Sequence, residues 1–129
     1  MNNYTIVRQE HLNHYCFLFG GALLQWVDEF AWLVASRDFP GCPLVTIGMD
    51  KINFLQPVAN GSILRFSILP LEQGTTSVQY AVSVFADAPG ASEESEVFST
   101  TITFVHVDKD GGKQPLPHNG PLRSLQPEP

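Results

Sequence analysis

Apolar residues change their period once along this chain. Between Phe17 and Ala35 the polar side chains are Gln25, Asp28 and Glu29. The part from Ala22 to Ser36 holds no Pro or Gly and is rich in Ala and Leu, which predicts a helix of about four turns. Phe39-Pro40-Gly41 supplies its stop. Apolar residues cover most of its circumference, so the helix is predicted to be largely buried.

From Leu44 onward the pattern alternates. Leu44 to Leu55 places Val45, Ile47 and Met49 on one face and Thr46, Gly48 and Asp50 on the other. Pro57 to Gly61 carries turn signals, and Ser62 to Leu71 reads as a second strand. Gln73-Gly74-Thr75 turns the chain into a third, Thr76 to Ala86, in which Val78, Tyr80, Val82 and Val84 alternate. A loop from Asp87 to Glu94 leads to a fourth strand, Glu96 to Val107, with Phe98, Ile102 and Phe104 on one face. Ahead of the helix, Tyr4 to Val7 reads as a short edge strand and Arg8 to His14 as a loop. One buried helix followed by long antiparallel strands is an α+β pattern. A helix that is apolar nearly all round calls for a curved antiparallel sheet wrapped around it. Composition leaves other α+β arrangements open. The pattern gives one domain over residues 1–117, and the Pro-rich stretch 118–129 reads as a poorly ordered tail.

Composition narrows the function. With 129 residues, 43% hydrophobic and 16% charged, the chain can bury a core. A formal net charge of -6 argues against a nucleic-acid groove, because binding phosphates takes a basic surface. Cys16 and Cys42 stand outside any CxxC or metal-ligand spacing and read as reduced thiols of a cytoplasmic protein. Met1-Asn2-Asn3-Tyr4 lacks the basic-then-apolar pattern of a signal peptide. The apolar run is too polar at its middle for a membrane span. His11 and His14 form an H-x-x-H pair with no evident third ligand, so neither a metal nor a cofactor is expected.

The chemistry lies where the helix is not apolar. Gln25, Asp28 and Glu29 are spaced by three and four and share a narrow stripe, which Gly21 and Ala22 continue toward the N-terminus. This stripe is either the solvent face of the helix or a site, since a carboxylate on a buried helix is costly unless solvated, paired or used. Gly20-Gly21 opens the helix, where free backbone N–H groups favour negative charge and can hold a developing oxyanion. Glycine there lets a ligand approach the backbone. Asp28 stands seven residues past Gly21, a rise of about 10 Å. That is too far for both to grip one carbonyl, so either the two features are unrelated or a second copy of the chain supplies one of them; the second alternative is the expectation, a homodimer with its sites at the interface. Glu29 points about 100° away from Asp28 and reads as a salt-bridge or interface residue. Trp26 and Trp32 read as core or dimer-interface packing, with the lining of an acyl tunnel as the sharper alternative.

Asn13-His14-Tyr15-Cys16-Phe17-Leu18-Phe19-Gly20-Gly21, followed by Leu24, Trp26, Asp28 and Glu29, resembles the N-x-x-G-x-x-F-G-G…L…W-M-D-E signature of hotdog acyl-CoA thioesterases. These include the short bacterial and the brain-type acyl-CoA hydrolases. Val45-Thr46, Phe54 with Pro57-Val58, Gly74-Thr75-Thr76-Ser77, Phe104-Val105, Gly112-Lys113 and Leu116-Pro117 extend the likeness over roughly residues 5 to 117. Cys16 and Phe17 depart from it, standing where the family often has Gly and a small polar residue. So does the acidic loop with Asp87, Glu93, Glu94 and Glu96. The resemblance implies a hotdog fold and hydrolysis of acyl-CoA, with CoA present as part of substrate and product. It implies a homodimer, often assembled further into a hexamer as a trimer of dimers. It assigns Asp28 as base or nucleophile, Asn13 of the opposite subunit as a water or substrate holder, and Gly20 and Gly21 as polarisers of the carbonyl. Phe19, Thr46, Phe54, Thr75, Thr76 and Ser77 follow as substrate-binding positions. The rival readings are a non-catalytic hotdog module that binds acyl-CoA or acyl-carrier ligands, a hotdog dehydratase, which would want a His in the site, and a structural oligomer.

Overall fold

The computed structural model describes residues 1–117. The tail expected at 118–129, with His118, lies outside the described residues. Strand β1 (Asn2–Ile6) and a short 3-10 turn (Gln9–His11) precede helix α1 (Gly20–Asp38); strands β2 (Leu44–Phe54), β3 (Ile63–Gln73), β4 (Ser77–Asp87) and β5 (Ser95–His106) follow. Every strand pair is antiparallel, and the sheet order is β1-β3-β4-β5-β2. The strand that enters the sheet first after the helix therefore lies at the far edge from β1.

Alternation, strict on β4 and partial on β3 and β5, builds the core. Val78, Tyr80, Val82 and Val84 on β4 are buried, as are Leu64, Phe66 and Ile68 on β3 and Phe98, Ile102 and Phe104 on β5. Across them lies α1, which buries Leu23, Val27, Ala31, Val34, Ala35 and Asp38. Those spacings of four, four, three, one and three trace a single stripe of the helix. Each large apolar side chain taken out of water there contributes about 1.5–3 kcal/mol.

Two expectations change. The helix begins two residues earlier and ends two later than read, and it is buried along one flank. Trp32 and Leu33 are each 42% exposed, and Gly21, Gln25 and Glu29 are exposed too. A sheet can cover one side of a helix, and nothing within the described chain covers the other. On β2, simple alternation fails. The pairings Thr46↔Phe104 and Met49↔Ile102 put both side chains on the helix-facing side, because the register shifts between Thr46 and Gly48. A bulge adds one residue and so flips the faces that follow it. A second shift, between Asp50 and Asn53, accompanies Lys51 in the left-handed region at φ 53°.

Asp38 is a buried carboxylate on the last turn of α1. The Tyr80 hydroxyl donates to its Oδ2 at 2.7 Å. Burial, and then the hydrogen bond to this carboxylate, pushes the Tyr80 phenol far above its usual range. The pair ties the C-terminal end of the helix to the centre of β4. Removing the Tyr80 hydroxyl leaves Asp38 with one donor fewer in a dry place. Tyr80→Phe is expected to lower stability by about 1–3 kcal/mol, read as a drop in the urea midpoint with an unchanged slope.

Candidate functional site

The flank of α1 that faces β2 carries Gly21, Gln25, Asp28 and Trp32, at spacings of four, three and four. Two side-chain hydrogen bonds join this flank to the edge strand. Thr46 Oγ1 donates to Asp28 Oδ1 at 2.6 Å. One helical turn later, Trp32 Nε1 donates to the Leu44 carbonyl at 3.0 Å. Thr46 can reach Asp28 because the bulge keeps it on the helix side of β2. Asp28 itself is half-buried. Its carboxylate is thus oriented by one short hydrogen bond, and its other oxygen takes no part in that bond.

The N-terminal end of the helix builds a second cluster. No side chain caps α1; its N-cap is Phe19. Ala22 and Leu23 donate to the Phe19 carbonyl; the Gly20 and Gly21 N–H groups precede those bonds, and no side chain caps them. Both glycines are packed against aromatic rings. A Cβ on Gly20 would sit 3.4 Å from the Phe54 ring, and one on Gly21 only 2.6 Å from the Phe19 ring. Beside Gly20 opens a cavity of about 460 Å³, lined mostly by apolar groups of Phe17, Leu18, Leu23, Phe54 and Val58. Asn13 also lines it.

The loop before the helix is shaped by Asn13. Its Oδ1 accepts from Tyr15 N at 2.9 Å and from Phe17 N at 3.2 Å. The oxygen is committed to the loop, so any contact of Asn13 with a ligand runs through its NH2 group, a donor. Cys16 completes the turn with its N–H on the Asn13 carbonyl and a φ of 67°. A side chain in that left-handed conformation carries strain that glycine avoids.

Within one chain, then, Asp28 meets Thr46, while Asn13 lines one cavity with Gly20 and Phe54. The two groups do not meet: Gly20 and Asp28 are eight residues apart on α1, a rise of about 12 Å. Phe19, 56% exposed, stands over Gly21. Thr75, Thr76 and Ser77 lie at the β3–β4 turn, at the Thr46 end of the sheet but two strands away, through Val45↔Val105↔Ser77. The turn is held by the C-terminal segment and the end of β5, with Leu116 N donating to the Thr75 carbonyl and His106 N to that of Thr76. Sequence reasoning missed Trp32 as a neighbour of Asp28. The i, i+4 spacing was legible; that its ring would be pinned toward β2 and remain exposed was not.

In the acidic loop, Glu94 pairs with Arg65, whose guanidinium also lies over the Phe85 ring. The hydrogen bond from Arg65 holds the Glu94 carboxyl below its ordinary range. A carboxyl whose pKa is lowered by folding stabilises above its unfolded value, and loses that contribution as pH falls through the folded one. Among the described residues, no group of three or more His, Cys, Asp or Glu could hold a metal ion, and no helix is long and apolar enough to cross a membrane.

Residues 15–92 match the family model of the thioesterase superfamily. The chain belongs to this superfamily. Its single helix on a five-stranded antiparallel sheet is the hotdog fold, and the likeness to acyl-CoA thioesterases read from the signature residues holds. Among curated relatives, an uncharacterized acyl-CoA thioester hydrolase of Bacillus subtilis is 29% identical over 105 residues, covering 81% of this thioesterase-superfamily chain and 60% of the relative's own length. Among solved structures, the acyl-CoA hydrolase of Staphylococcus aureus, in complex with butyryl-CoA and CoA, is 27% identical. It superposes with a TM-score of 0.77 over 91% of this chain and 71% of its own. A hexameric thioesterase of Yersinia pestis shares the fold at 24% identity and a TM-score of 0.81, covering 89% of this chain and 93% of its own.

Two substitutions test the local geometry. Cys16→Gly relieves the left-handed strain and is expected to raise stability by up to about 1 kcal/mol, seen as a higher denaturant midpoint. Gly21→Ala forces the Phe19 ring aside, and a crystal structure of that variant is expected to show it in a different rotamer.

Proposed function

We propose that this chain hydrolyses acyl-CoA thioesters at two composite sites in a homodimer. The observation that carries the reading is the separation on α1. A carboxylate held by Thr46 and a pair of uncapped amides at Gly20 and Gly21 are both suited to thioester hydrolysis, yet are about 12 Å apart. Reacting atoms need both within hydrogen-bond reach. A second copy closes the gap. Strand β2 has one edge on β5 and the other open, and Val45, Ile47, Ile52 and Phe54 along it are 43–61% exposed. An open apolar edge is a template for pairing with another chain. Antiparallel pairing of β2 with its own copy, centred near Asp50, sets Thr46 against Phe54 of the partner subunit. Since Thr46 holds Asp28 and Phe54 covers Gly20, the carboxylate of one chain then faces the helix N-terminus of the other. Such dimers assembling further into a hexamer, the state of the Yersinia protein, belong to the same proposal.

The chemistry follows from these groups. The thioester carbonyl accepts from the Gly20 and Gly21 amides and from the NH2 group of Asn13, which stabilise the oxyanion as it forms. Asp28, aimed by Thr46, either takes a proton from the attacking water or attacks the carbonyl itself to give an anhydride that water opens. In both routes the C–S bond breaks, the thiolate leaves and is protonated, and a free acid is formed. Phe19 and Phe54 flank the amides and serve as substrate-binding positions. Thr75, Thr76 and Ser77 keep a weaker place at the far side of the sheet. The Staphylococcus aureus hydrolase has been crystallised with an asparagine or a threonine replaced by alanine, the residue types that Asn13 and Thr46 supply here.

Thiol release from a panel of acyl-CoAs tests the reading. Asp28→Asn is expected to lower kcat by roughly 10²–10⁴-fold, with the fold intact by circular dichroism. Thr46→Val, which removes a hydrogen bond to a charged group, is expected to cost roughly 10- to 100-fold. Co-expressed Asp28→Asn and Asn13→Ala chains are expected to recover activity that neither shows alone, because a mixed dimer holds one intact site. Binding of acyl-CoA without thiol release by the unaltered protein would favour the non-catalytic module instead.

A further inference from the structure

Trp32, like Leu33 beside it, is a large apolar residue left exposed on the helix, and of the two it is the one pinned to the edge strand by a side-chain hydrogen bond. Its neighbours Val34 and Ala35 are buried, and so is Leu44, the residue whose carbonyl its ring N–H meets. The indole nonetheless stays 42% exposed. The hydrogen bond fixes the ring against β2 on the same flank as Asp28, one turn further along. A large apolar surface held rigid beside a carboxylate is pre-organised for an apolar ligand.

The proposed dimer says what the indole faces. Where Asp28 of one chain lies opposite Gly20 of the partner subunit, the two helices run antiparallel. Trp32 is a further four residues along α1, a rise of about 6 Å. It therefore stands beyond Gly20 of the partner subunit, alongside the partner's loop that precedes its helix. That loop forms one wall of the 460 Å³ apolar cavity, which stands open in the single chain and is small among ligand pockets of about 300–1,000 Å³. We infer, resting on the thioesterase reading above, that Trp32 of one subunit closes the apolar cavity of the other, and that the resulting chamber takes the acyl chain, with Trp32 limiting its length. The carbonyl sits between Asp28 and the partner's helix N-terminus. The acyl chain runs from there past the indole into the cavity. Trp32 is a specificity-determining residue in this arrangement and takes no part in the chemical step.

The experiment measures kcat/KM for acyl-CoAs of increasing chain length with the unaltered protein, Trp32→Ala and Trp32→Phe, with light scattering to follow the dimer. Trp32→Ala is expected to remain dimeric and to move the optimum to longer chains, raising the long-to-butyryl ratio at least tenfold. Trp32→Phe, which keeps a ring on that flank, is expected to stay close to the unaltered profile. A uniform loss across all chain lengths would place Trp32 on the carrier side of the thioester and overturn the inference. Loss of the dimer together with activity would make it a packing residue and equally overturn it. Equilibrium binding of alkyl-CoA thioethers, which cannot be hydrolysed, separates this inference from the reading beneath it. Absence of thiol release from any acyl-CoA by the unaltered protein sinks the thioesterase reading. A thioether length preference that Trp32→Ala leaves unmoved sinks the chamber alone.

Discussion

A helix lying on a five-stranded sheet can bury one flank, and α1 has apolar residues on nearly all of its circumference. That mismatch governs the rest of the molecule. The flank carrying Leu23, Val27, Ala31 and Val34 is covered by the chain's own sheet. The flank with Gly21, Asp28 and Trp32 is joined to the edge strand by the bonds Thr46–Asp28 and Trp32–Leu44, and is otherwise open. The open β2 edge beside it leaves a further row of apolar side chains without cover. Both surfaces adjoin β2, the edge strand of the sheet.

The placement of Asp28 follows from the same geometry. A carboxylate in the buried stripe would have to be paired and dry, as Asp38 is with Tyr80. On the flank it stays half-buried, near enough to β2 for Thr46 to orient it and still partly open to solvent. The bulge between Thr46 and Gly48 lets Thr46 and Met49 share the helix side, one for the carboxylate and the other for the core. Bulges are a recurrent way of re-aiming a side chain near a site.

At the other end of α1, a bare helix N-terminus and backbone strain coincide. Uncapped amides, glycines pressed by Phe19 and Phe54, and Cys16 held in a left-handed conformation all fall within six residues. Each forgoes some local stability. Together they leave a helix N-terminus bare beside an apolar cavity, the arrangement that favours a developing negative charge on a ligand with an apolar tail.

Much of this was legible in the sequence. Period 3.6 in one segment and period two in the next reports which side chains share a face, so the helix, the four long strands and the common flank of Gly21, Gln25 and Asp28 could be read directly. The separation of Gly21 from Asp28 could also be read, because helical rise is constant and a distance along the chain becomes a distance in space. Other features depend on contacts between segments far apart in the chain, and the tertiary structure alone decided them. The β2 bulge arises from its pairing with β5, and it moved Met49 to the face of Thr46. The bonds Thr46–Asp28, Trp32–Leu44 and Tyr80–Asp38 span 18, 12 and 42 residues. Local periodicity carries no information about partners at such separations; packing selects them once the helix has settled on the sheet.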